Sequence, residues 1–316
     1  QPYFPEWSLN VFMAPTFRAL TTEGYKANGV VFACLSALAF AFPEPKLRVY
    51  RETDGGQEPL PQHPAAKLLW QPNAQMGMAE LLQYTMIYLG IGGNAYWYKV
   101  RSAAKRVVEL WPLNDSQLRP IGGGDRLVSH YEWDNGDGQP VRIEATDIVH
   151  FRWLPDPLAP WRGVAPLVAV ARDVDTDNEA TKFCFALLSN DATPRTVMQV
   201  PHKILSVDEA NRLRAQFLDK YGGTNRGTVA ILDNGATISR LSLNLQELAF
   251  DALRRLPETR IAAAFRVPPI VAGLNAGLER STFANYAEAV SAFTERTLVP
   301  LWRMVESEVA ADLLSE

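Results

Sequence analysis

The stretch Arg260-Ile261-Ala262-Ala263-Ala264-Phe265-Arg266-Val267-Pro268-Pro269-Ile270-Val271-Ala272-Gly273, followed by Ser281-Thr282-Phe283-Ala284-Asn285, decides the fold. It reads as a helix that stops at a double proline, a short loop and a second helix. Pro268 drives Val267 out of the helical region, so the first helix ends there. Ser281 or Thr282 offers a hydroxyl that caps the next helix. This pattern positions a loop and carries no bond chemistry.

Reading outward, the chain on the N-terminal side of the double proline predicts a long helix over 245–266, with Pro257 forcing a kink or a restart. A second long helix is expected from Pro166 to Asn190, proline being tolerated in its first turn. Between them lies a small α/β unit. Arg195–Val200 reads as a strand, and Ser206-Val207-Asp208-Glu209 is a capping box. Leu213, Phe217 and Tyr221 form the apolar stripe of its helix, and Thr228–Leu232 pairs with Ala236–Leu243 across Asn234-Gly235. Two long helices with a small module at their far end bury little apolar surface alone. A ring of identical subunits supplies the missing partners.

The N-terminal half reads as an α+β block. Val30–Phe42 is an apolar helix ended by Pro43. Met78–Leu89 places Leu81, Leu82, Thr85, Met86 and Leu89 at helical spacing. Strands are expected at 47–51, 95–101, 106–110, 127–133, 141–143 and 148–152. Residues 1–27 read as an arm that docks on a neighbour. After the loop at 267–282, a helix over 282–297 has Phe283, Tyr286, Ala287, Val290 and Phe293 on one face, which predicts anchoring in the α+β block. Gly273 and Gly277 are expected to give the loop freedom at its tip.

Composition excludes several classes. The chain has 316 residues, 47% of them hydrophobic and 21% charged, so it is globular. A net charge of −4 argues against a tight electrostatic nucleic-acid binder, though not against a protein that surrounds DNA loosely. Cys34 and Cys184 sit in apolar runs and read as buried free thiols. The thirteen-residue run 30–42 is too short for a membrane span of about 20 residues.

Candidate chemical motifs fail one by one. Asp173, Asp175, Asp177 and Glu179 are spaced like the start of a calcium loop, but Asn178 and Cys184 stand where the template needs Gly and Glu. They are expected to form an acidic helix face instead. Gly90-Ile91-Gly92-Gly93 follows a helix and precedes a strand, the reverse of a dinucleotide loop. There is no nucleotide-binding G-x-x-x-x-G-K-[ST] and no G-x-S-x-G. His63, His130, His150 and His202 lack metal-ligand spacing, and His150 reads as a strand residue with a satisfied ring.

Five further segments, in order, carry a resemblance. They are His63-Pro64 with Leu68-Leu69 and Pro72-Asn73; Gly93-Asn94-Ala95-Tyr96-Trp97; Asp147-Ile148-Val149-His150-Phe151-Arg152; Tyr221-Gly222-Gly223; and Ile231-Leu232-Asp233-Asn234-Gly235. With the double-proline stretch, this set resembles the portal proteins of tailed bacteriophages over about residues 28–314. Three features depart from the family: Gly77 in place of a Thr or Ser cap, Pro257 inside a helix, and an end at Glu316 that leaves little of a C-terminal crown.

The resemblance implies an α+β portal-type fold. Its parts would be an arm at 1–27, a wing at 28–163, a stem helix at 164–193, a clip at 194–243, a second stem helix at 244–266, a tunnel loop at 267–282, a wing helix at 283–300 and the start of a crown at 301–316. It implies Asn275, Glu279 and Arg280 facing a DNA channel, Leu213, Phe217 and Tyr221 at the clip interface, and the acidic face lining the channel or pairing with a neighbouring stem. The implied protein is not an enzyme, uses no cofactor or metal, and inserts in no membrane. It forms a homo-oligomeric ring, family-typically a dodecamer, assembled in the bacterial cytoplasm and resident at one capsid vertex of the virion. Its implied partners are the terminase large subunit, a head–tail adaptor, the major capsid and scaffolding proteins, and double-stranded DNA bound without sequence preference. The alternative reading is a DNA-processing enzyme with an unrecognised active site.

Overall fold

The computed structural model describes residues 16–53, 55–123, 126–134, 136–189, 196–199, 208–209, 211–212, 215, 237–240, 250–278 and 283–314. The chain divides into two compact units, Gln1–Asn178 with Arg254–Glu316, and Glu179–Leu253.

In the larger unit, α1 (Phe17–Ala19) runs straight into a π-helical turn, Leu20–Tyr25. Leu20 is buried in the main core, so residues 17–25 belong to the body of the protein and not to a free arm. Helix α2 (Gly29–Ala41) starts at Asn28, whose Oδ1 accepts from the Val30 and Val31 amides at 3.0 Å each. Val31, Cys34, Leu35 and Leu38 are fully buried, as the short apolar run requires of a core helix. Among the described residues no single helix is long and apolar enough to cross a membrane. Burial pushes the Cys34 thiol up to about 12, which leaves it unreactive.

An exposed hairpin follows, β1 (Tyr50–Thr53) and β2 (Gly56–Pro59). Helix α3 (Pro64–Trp70) opens on Pro64, with His63 Nδ1 accepting from the Ala65 amide at 3.2 Å. Helix α4 (Met78–Gly92) has Gly77 at its N-cap without a side-chain cap, and ends at Gly93 in the left-handed region. A Cβ on Gly93 would meet Gly163 O at 2.5 Å, so glycine is required there twice over.

The chain then turns into β3 (Asn94–Arg101), which pairs antiparallel with β4 (Val107–Asn114) and β8 (Ile148–Arg152). A second antiparallel sheet joins β5 (Leu118–Gly123), β6 (Arg126–Trp133) and β7 (Val141–Glu144). One face of the first sheet packs on α2 and α4, where Trp97 Nε1 donates to Thr85 Oγ1 at 2.8 Å inside the core. Its other face meets the second sheet through Tyr96, Leu113, Leu118, Tyr131, Ile143 and Ile148.

The expected helix over 166–190 is two helices, α5 (Pro166–Ala169) and α6 (Ala171–Ser189), broken at Val170 with φ −112° and ψ 16°. Conversely, α7 (Phe250–Ala264) runs through Pro257 without the expected restart. Pro257 removes one backbone donor, but it is buried, and Ile261, Ala262 and Phe265 beyond it are fully buried in the core. Packing holds the helix where propensity alone would break it.

After α7 come the single turn α8 (Asn275–Leu278), α9 (Phe283–Phe293), a π-helical turn (Thr294–Leu298) and α10 (Val299–Leu313). Lys99 Nζ donates to Asp312 O at 3.0 Å, and Trp302 Nε1 donates to Phe42 O at 2.9 Å, fixing α10 to β3 and to the end of α2. In the smaller unit, β9 (Thr196–Gln199) pairs antiparallel with β10 (Thr237–Arg240). The expected Asn234-Gly235 turn lies outside the described residues.

Candidate functional site

The segment 267–274 after α7 is more constrained than its glycines suggest. Val271 and Ala272 amides return to Pro268 O, and the Leu274 amide to Pro269 O, at 2.9–3.2 Å. Leu274 and Val267 are buried. Gly273 takes the left-handed region with open space around it, as expected for a turn. Gly277 does not act as a hinge. A Cβ there would lie 2.2 Å from Ile270 N and 2.6 Å from Ile270 Cα, so this glycine lets two backbone segments touch. Asn275 is exposed at the start of α8. Glu279 and Arg280 lie outside the described residues, as do the candidate caps Ser281 and Thr282.

Helix α9 also differs from expectation. Phe293 is buried, but Tyr286 is 50% and Val290 38% exposed, and Ala287 is exposed as well. The apolar stripe exists, yet among its described side chains only Phe293, in the last turn, is buried.

Between the sheets sits a buried polar network that connects β3, β6, β8 and the loop before α5. His150 Nε2 lies 3.0 Å from Asn94 Oδ1, and His150 Nδ1 lies 3.1 Å from Tyr131 Oη. Asn94 Oδ1 can only accept, so Nε2 carries the proton and the tyrosine hydroxyl donates to Nδ1. Asn94 Oδ1 also accepts from the Gly163 amide at 2.7 Å. Next to it, Asp115 pairs with Arg162 and accepts from Tyr96 Oη at 3.1 Å. Burial holds the His150 ring well below its usual pKa, and Arg152 and Arg162 push it in the same direction. Burial raises Asp115, against the opposing pull of Arg162. Both ring nitrogens of His150 are engaged, which leaves none free to act as a base. The expected satisfied ring is what the structure has. Among the described residues no group of three or more His, Cys, Asp or Glu is placed to hold a metal ion.

A family model described as phage portal protein matches residues 29–316. The chain belongs to the phage portal protein family. A protein of Streptomyces phage phiC31 named "Probable portal protein" is 24% identical over 319 residues, covering 97% of this chain and 68% of that one. The structure titled "Neck of native GTA particle computed with C12 symmetry" is similar with a TM-score of 0.70 and 25% identity, over 94% of this chain and 80% of that one. An HK97 family phage portal protein from Corynebacterium diphtheriae shares the fold with a TM-score of 0.66 at 14% identity, over 96% of this chain and 92% of that one.

In this portal protein the four acidic residues of α6 do not form a single face. Asp173 lies 3.1 Å from Arg260 of α7 in an ion pair. Asp177, one helical turn on, is buried and accepts from Asn28 Nδ2 at 2.9 Å. Asp175 is half-buried and engaged with other groups. Glu179 is exposed and pairs with Lys182 at 2.8 Å. A rotation of about 100° per residue puts positions 173 and 177 on one side of the helix and 175 and 179 on the other. Leu213, Phe217 and Tyr221 lie outside the described residues. The network of Asn94, Asp115, Tyr131 and Arg162 is not legible from the sequence, because its members are scattered over two strands and two connecting segments. The Asn after Gly93 was the one available signal: a buried strand start that carries an amide needs partners.

Proposed function

We propose that this chain is the subunit of a ring at one capsid vertex, through which double-stranded DNA enters and leaves, and that it is structural and not enzymatic. The observation that carries the reading is the match of family and fold over nearly the whole chain, including similarity to a particle neck computed with twelvefold symmetry. Chains that repeat one heterologous contact close into rings when the rotation permits. On this reading residues 28–163 are the wing, 164–193 and 244–266 the stem, 194–243 the clip, 267–282 the tunnel loop and 283–300 the wing helix. The clip, with Leu213, Phe217 and Tyr221, is the surface for neighbouring clips and for the terminase large subunit. The head–tail adaptor takes its place after packaging, and the major capsid and scaffolding proteins are further partners of this chain.

The test is the native mass of the purified protein, with images of the particles. The expected result is a ring many times 35.1 kDa that neither cleaves DNA nor hydrolyses ATP. A stable monomer at micromolar concentration, or nuclease activity that tracks the protein through purification, would overturn the proposal.

A further inference from the structure

We propose that Arg266 is a positioning residue: it clamps the foot of the loop 267–282 to the π-helical turn Thr294–Leu298 and so fixes where loop and helix α9 leave the body of the protein. The first observation is in the backbone. Helix α7 ends with the Val267 amide on Ala262 O and the Arg266 amide on Ala263 O, both at 3.0 Å. These two bonds define a Schellman ending, whose penultimate position takes the left-handed conformation and usually holds glycine. Here it holds arginine, with φ 57°. The Cβ of an arginine is strained in that region, and glycine would relieve it.

The side chain and carbonyl of Arg266 show what this strain accompanies. Nη2 donates to Arg296 O at 2.7 Å, and Arg266 O accepts from Thr297 Oγ1 at 2.7 Å. Thr297 is buried, so its hydroxyl needs that acceptor. The third observation is Pro300, four residues after Arg296. Proline has no N–H, so the donor that an α-helix would aim at Arg296 O is missing. The chain widens there into a π-turn closed by the Val299 amide on Thr294 O, and the Arg266 guanidinium meets the carbonyl from outside the helix. A left-handed arginine, a π-turn and a helical proline therefore meet at one joint. Everything between residues 267 and 295 is an excursion with both feet tied at that joint.

The clamp stands on geometry alone; its consequence for DNA rests on the portal reading. The test uses the full chain with Arg266→Gly, Thr297→Val, Thr297→Ser and Arg266→Lys. Removing one clamp bond is expected to speed amide hydrogen exchange over 294–301 about fivefold in Arg266→Gly and in Thr297→Val. Thr297→Ser and Arg266→Lys keep a donor and are expected to stay near the parent. The melting midpoint of Arg266→Gly should remain within about 2 °C of the parent, because relief of the left-handed strain offsets the lost bond. Rings of normal mass carrying Arg266→Gly should package less DNA.

Unchanged exchange in both Arg266→Gly and Thr297→Val overturns the clamp. Faster exchange with normal packaging overturns the positioning role. Exchange that rises throughout the core with a large fall in melting midpoint makes Arg266 an ordinary stabilising contact and overturns it too. Failure of the chain to form rings counts against the portal reading, and the exchange measurement still decides the clamp.

Discussion

At the scale of single residues, His150 shows how a buried polar group becomes a pH dependence. Its ring is neutral between Asn94 and Tyr131, and Arg152 and Arg162 oppose a second proton. The folded protein therefore holds the ring below its ordinary 6.5, while the unfolded chain takes up a proton near that value. The contribution to stability is complete above the unfolded value and is lost as pH falls through and below it, by about 1.4 kcal/mol per pH unit for one proton. Melting midpoints should drop between about pH 6.5 and pH 5 in the parent and drop less steeply in His150→Gln. Equal slopes in the two proteins would remove His150 from the account. Gly277 makes the second residue-scale prediction. With a Cβ 2.2 Å from Ile270 N, Gly277→Ala must displace backbone, and its melting midpoint should fall, whereas Gly29→Ala meets nothing within 4 Å. A harmless Gly277→Ala would restore the reading of a free tip. Sequence pattern marks a glycine but does not say whether it serves conformation, as at Gly273, or close approach, as at Gly277.

At the scale of elements, one side chain holds two helices. Asn28 caps α2 with its oxygen and donates with its nitrogen to the buried Asp177 of α6. Asn28→Ala removes the cap, worth about 1 kcal/mol, and leaves a buried carboxylate short of a donor, worth about 1–3 kcal/mol. Asp173→Ala breaks only the pair with the largely exposed Arg260, and exposed pairs contribute at most about 1 kcal/mol. The melting midpoint should therefore fall several degrees for Asn28→Ala and little for Asp173→Ala; the reverse order would show that the acidic residues of α6 stabilise by charge pairing. Helix α4 is legible in the sequence because its apolar residues repeat at helical spacing, helix α2 because it is one apolar run ended by Pro43, and strands β3, β6 and β8 because short runs rich in β-branched and aromatic residues read as strands. The break at Val170 and the unbroken α7 were not, because both depend on what the segment packs against. The stripe on α9 predicts anchoring in the α+β block, but periodicity does not say what covers a face, and Tyr286 and Val290 are exposed. The polar network is legible in the sequence at His150, with Asn94 as the one further signal, because its other members are contributed by tertiary contact.

At the scale of the whole molecule, electrostatics decides whether a ring can hold DNA loosely. The net charge of each chain is −4, so its field gives no general attraction for phosphate. Contact then depends on where the cations are placed, and repetition around an axis turns one arginine per subunit into a belt. Arg280 is the cation of the segment proposed as the tunnel loop, between the end of α8 at Leu278 and the start of α9 at Phe283. Arg280→Glu reverses that charge in every subunit at once and removes no apolar contact expected of the loop. Rings should assemble with unchanged mass, while the DNA packaged or retained per particle falls. A second measurement separates charge from shape. Phosphate contacts weaken with salt, and the Debye length is about 3 Å at 1 M and about 10 Å at 0.1 M, so the difference between parent and variant in DNA retention should shrink as salt rises. A deficit that persists at high salt would assign Arg280 a packing role. Normal packaging in Arg280→Glu would end the case for this residue as a channel contact, and would leave Glu279 and Asn275, the latter exposed at the start of α8, as the polar residues of the loop still to be tested.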